Sequence, residues 1–69
     1  MIDRLVAKGV LAIGVTPHED HLECLMVITS TEATSPITLI NPDKPGESFR
    51  VSGIPINVTS TNLSLTLET

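Results

Sequence analysis

Sixty-nine residues suffice for one domain, and eight Asp and Glu against four Lys and Arg leave a net charge of −4. The chain has no basic stripe to neutralise phosphates, which argues against nucleic acid and anionic membrane surfaces as partners. A single aromatic residue, Phe49, and a single cysteine, Cys24, exclude an aromatic core and an intrachain disulfide.

In chain order, the first expected element is a strand over Leu5 to Thr16. Leu5, Ala7, Leu11, Ile13 and Val15 make a period-two apolar face, interrupted by Gly9 and Gly14. A short helix over Ile2 to Lys8, capped by Gly9, is the rival reading of its start. Pro17 to Asp20 is polar and reads as a hairpin turn into a second strand, His21 to Ser30. Leu22, Cys24, Met26 and Ile28 form one face of that strand, with Leu25 and Val27 on the other. Two apolar faces suit a central strand or a contact between copies.

Ser30 to Ser35 is polar loop. Ile37 to Ile40 and Phe49 to Val51 read as strands around a turn-rich loop, Asn41 to Ser48, which holds two prolines and a glycine. Ile54 to Thr59 reads as a further strand, with Pro55 marking a strand start, an edge or a bulge, and Thr59 to Asn62 reads as a turn. Leu63, Leu65 and Leu67 then alternate with Ser64, Thr66 and Glu68, the cleanest two-residue period in the chain. The fold expected is therefore all-β, an antiparallel sandwich or barrel of about five or six short strands. A core this poor in aromatics invites completion by oligomerisation.

Both histidines and the cysteine fall in the densest polar segment, His18-Glu19-Asp20-His21-Leu22-Glu23-Cys24. Imidazole, thiolate and carboxylate are zinc ligands, so His18, His21 and Cys24 are the candidate metal ligands. Their spacing suits one helix face rather than a strand, where His21 and Glu23 share a side and Cys24 points away. A closed zinc site also needs about four ligands. The expectation is therefore a solvated acidic turn, a buried inert thiol, no metal and no cofactor. No phosphate loop or nucleophile elbow occurs, and a non-catalytic protein is expected.

The stretch Lys44-Pro45-Gly46-Glu47-Ser48-Phe49-Arg50-Val51 resembles the Lys-x-Gly-Glu-Ser turn of the carbon storage regulator family. That resemblance implies a small, intertwined, dimeric all-β protein that binds RNA. Asp43 stands where the family's turn is preceded by a basic RNA-contacting residue, and no basic residue follows Arg50.

Residues 17–35 carry Glu19, Asp20, Glu23 and Glu32 with no Lys or Arg. Those four carboxylates are the expected contact for a protein partner, a basic one by charge complementarity. The functional expectation is a small acidic module of the assembly-factor, virion-accessory or inhibitor type, self-associating and cytoplasmic. A dimeric RNA-binding regulator and a small metal-binding protein are the alternatives from other classes.

Overall fold

The computed structural model describes residues 1–30, 36–54 and 59–68. Its strands are β1 (Ile2–Ala7), β2 (Val10–Pro17), β3 (His21–Thr29), β4 (Ile37–Asn41), β5 (Lys44–Ser52) and β6 (Thr59–Leu67). They close into an antiparallel barrel in the order β1-β2-β3-β6-β5-β4. Consecutive strands β1, β2 and β3 pair as hairpins, and β4 returns to lie beside β1, a Greek-key arrangement. Closure removes the sheet edges that an open sheet would leave exposed.

The first expected strand is two strands. The chain reverses at Lys8-Gly9, between the paired residues Ala7 and Val10, and Gly9 takes a φ of 78° there. A residue with no Cβ enters that left-handed region without steric cost. Ile2 to Ala7 is strand and not helix. The Asn41–Ser48 loop also contracts. Pro42 and Asp43 alone make the turn, tightened by the Asp43 N–H donating to Asn41 Oδ1 at 2.9 Å. Lys44 to Ser48 belong to β5, and the register shifts between Ile40 and Asn41. Pro45 is tolerated because it lies at that irregularity, beyond the Val51↔Leu67 and Ser52↔Thr66 pairs that join β5 to β6. Thr59 to Asn62 are strand rather than turn, paired to β3. The expected strand over Ile54 to Thr59 falls mostly outside the described residues.

The interior is aliphatic. Leu5, Leu22, Leu39, Leu65, Val15, Val27 and Val51 are fully buried, with Phe49 packed partly against them. A small barrel has a bore that branched aliphatic side chains fill, so it needs no aromatic centre. The inward set on β3 is Leu22, Cys24, Val27 and Thr29, so Met26 and Ile28 are not on the core face. The face switch falls at Leu25-Met26, and β2 switches alongside it between Ala12 and Val15. Leu11 and Ile13, expected inside, face outward as a result.

The switch in β2 and β3 lies at one level of the barrel. Ile13↔Met26 and Val15↔Cys24 set Gly14 opposite Leu25, while Cys24↔Leu63 and Met26↔Thr61 set Asn62 opposite Leu25 from the other side. Gly14 has φ 61° and Asn62 has φ 53°, so both flanking backbones are left-handed where Leu25 sits between them.

Candidate functional site

The β2–β3 hairpin gathers the polar cluster. The His18 N–H donates to the His21 carbonyl at 2.9 Å, so these residues face each other across the turn Glu19-Asp20. Cross-strand partners project to the same side, and Glu23, two residues beyond His21, projects there too. The imidazole rings stack, with centroids 4.6 Å apart and planes inclined by 9°. His18 Nε2 lies 3.2 Å from Glu23 Oε2, and His21 Nε2 lies 3.5 Å from Glu23 Oε1. On the far side of its ring, His21 Nδ1 donates to Asp20 Oδ1 at 2.7 Å.

These bonds set the electrostatics. The hydrogen bond to Asp20 raises His21 above its ordinary value, and burial only partly opposes it. The same bond lowers Asp20, and bonds from His21 and His18 lower Glu23. Asp20 and Glu23 therefore each have an imidazole partner that a count of Lys and Arg overlooks. The hairpin is also tied to the barrel, since the Leu67 N–H donates to the Asp20 carbonyl at 3.0 Å.

Of the candidate metal ligands, His18 and His21 come together and Cys24 does not join them. Cys24 points inward and is 3% exposed, and burial pushes its thiol up to about 11. Glu23 takes its place: one ligand atom each from His18, His21 and Glu23 lies within 4.8 Å of the others. Of the partner-contact carboxylates, Glu19 is exposed at the turn, Asp20 and Glu23 are engaged with imidazoles, and Glu32 lies outside the described residues. Beside Glu23 a pocket of about 290 Å³ opens along the Gly14–Leu25–Asn62 line.

A second surface lies on the outside of the barrel. Ile40↔Val6, Val6↔Leu11 and Leu11↔Ile28 place four aliphatic residues in one row across β4, β1, β2 and β3. Ile13 and Met26 extend it in the next outward row, beside Arg4. Ile28 is 39% and Ile40 41% exposed, and Val6, Leu11 and Met26 are half-buried. The sequence signal was present in the alternation of β2 and β3, with inside and outside exchanged.

No protein-family model, curated protein or solved structure matches this chain.

Proposed function

We propose that this protein is a small non-catalytic β module that works through protein contacts and pairs with a second copy of itself. The observation that carries this reading is the aliphatic row Ile40-Val6-Leu11-Ile28 on the outside of a barrel whose interior is already filled. Large exposed apolar patches mark interaction sites on small proteins. A band whose only charged member is Arg4 matches itself, as a two-fold contact requires. The acidic hairpin, with Glu19 at its tip, stands at one end of the barrel as the surface for a basic protein partner. Proteins of this kind serve as assembly factors, virion accessories or inhibitors, and a cytoplasmic setting fits the unpaired Cys24.

Light scattering on the purified protein over a hundredfold concentration range tests the reading. The expected mass is that of a dimer, reduced to a monomer by Ile28→Lys or Ile40→Lys with the far-ultraviolet circular dichroism unchanged. A monomeric mass at every concentration would overturn self-association.

A further inference from the structure

The hairpin cluster has a composition and an arrangement that contact with a partner does not require. Two imidazole Nε2 atoms and a carboxylate converge, and a second carboxylate, Asp20, holds the far nitrogen of one imidazole. We propose that His18, His21 and Glu23 form a binding site for a divalent transition-metal ion of the zinc type, with Asp20 as the positioning residue for His21.

Each part of the set has a chemical reason. Imidazole nitrogen and carboxylate oxygen are ligands for zinc, copper and nickel, whereas calcium and magnesium prefer all-oxygen shells. Metal-binding histidines characteristically donate their other ring N–H to a carboxylate, which fixes the tautomer and the ring orientation. The 2.7 Å bond from His21 Nδ1 to Asp20 is such a bond, and in the neutral ring it leaves the Nε2 lone pair on the side of Glu23, whose Oε1 lies 3.5 Å away. Zinc bonds of about 2.0–2.2 Å join ligand atoms roughly 3.3 Å apart in a tetrahedron. The ligand atoms now stand up to 4.8 Å apart and the two rings are stacked with planes 9° apart. Holding an ion therefore requires the imidazoles to leave the stack and turn their nitrogens toward a common point, a rotation of side chains on a backbone that stays in place. Three protein ligands leave a fourth position for water or for a group from another molecule.

The topology supplies an independent support. The hydrogen bonds from His18 N to the His21 carbonyl and from Leu67 N to the Asp20 carbonyl hold the turn between ligands, so the ligand backbones are fixed before any ion arrives. This inference does not depend on self-association, since every ligand comes from one chain.

The test is calorimetric titration of tag-free, chelator-stripped protein with zinc chloride at pH 7.5. One ion per chain is expected. Replacing His18 or His21 with Ala, or Glu23→Gln, is expected to weaken binding at least tenfold. Asp20→Asn is expected to weaken it by about 10–100-fold, the usual loss when a histidine's outer partner is removed, with stoichiometry kept. Cys24→Ser is expected to leave binding unchanged. Circular dichroism checks that each variant is folded, and the His21 ring resonances in nuclear magnetic resonance spectra report zinc directly. Absence of binding to the wild type, or binding that survives in the His18 and His21 double Ala variant or vanishes in the Cys24→Ser variant, would overturn the site.

Discussion

Leu25 lies across Gly14 so closely that a Cβ built on the glycine would stand 2.5 Å from Leu25 Cδ1 and 2.7 Å from its Cγ. The glycine is also held at φ 61°, so an added side chain meets a bad torsion as well as an occupied space. Gly14→Ala is expected to cost the left-handed penalty of about 1–2 kcal/mol and a further overpacking penalty of about 1–3 kcal/mol. Leu25→Ala alone should cost little, because the side chain is 57% exposed. In the double variant the Cδ1 and Cγ clashes are gone and the torsional penalty remains. The double variant should therefore be more stable than Gly14→Ala, as read by urea denaturation. Strict additivity would disprove the steric coupling.

Asn62, at φ 53° on the other flank of Leu25, tests the torsion without the clash. Asn62→Gly should be close to neutral, since either residue accepts the left-handed region. Asn62→Val should cost about 1–3 kcal/mol, because a branched Cβ is strained there. Equal stability of the two variants would show that the local backbone relaxes.

Cys24 should react slowly with a thiol reagent at pH 8 in the native protein and rapidly after unfolding. The thiolate is the reacting species, and a thiol pushed up to about 11 inside the barrel is almost wholly protonated as well as shielded. Fast native labelling would contradict the inward direction of Cys24.

The imidazole–carboxylate network predicts a window of greatest stability in metal-free protein. His21 is raised above its ordinary 6.5, so its contribution is fully present below that value and is lost as pH rises through the higher folded one. Asp20 and Glu23 are lowered from 3.8 and 4.5, so theirs is present above those values and is lost as pH falls through the lower folded ones. The network therefore favours folding most between about pH 4.5 and 6.5. Titration of the His21 ring by nuclear magnetic resonance should show the raised value and its fall in Asp20→Asn. An unchanged value in that variant would remove Asp20 as the cause.

How much of this could be read from residues alone follows from where alternation holds. β6 keeps its period from Leu63 to Leu67, and that stretch was legible at once. β2 and β3 switch faces halfway, so a single period drawn through either strand assigns half of it to the wrong side. The prolines of 41–48 suggested a long loop because a bulge that excuses Pro45 leaves no mark in composition. Closure of the barrel, which depends on the distant pair Val6↔Ile40, has no local signal. At the hairpin, the rule that His21 and Glu23 share a side and Cys24 opposes them was legible and agrees with the structure. The role of Asp20 was not, because a ring orientation is a matter of atoms rather than spacing.

The barrel is joined unevenly around its girth. Among the described residues, Val6↔Ile40 is the pair between β1 and β4, and Val51↔Leu67 and Ser52↔Thr66 are those between β5 and β6, whereas β2–β3 and β3–β6 are paired along most of their length. The β4–β5 hairpin is thus sewn to the rest by a few stitches on either side, with the Glu68 N–H to Arg50 carbonyl bond of 2.8 Å as reinforcement. Local opening follows the least protected unit, so amides of β4 and β5 should exchange with solvent before those of β3. When that hairpin swings out it bares the free margins of β1 and β6 together, the complementary margins that the hairpin of a neighbouring molecule carries. Reciprocal exchange of hairpins at high concentration is the hazard such a closure brings, and a ring this small keeps its chains separate only as long as those two thin seams stay shut.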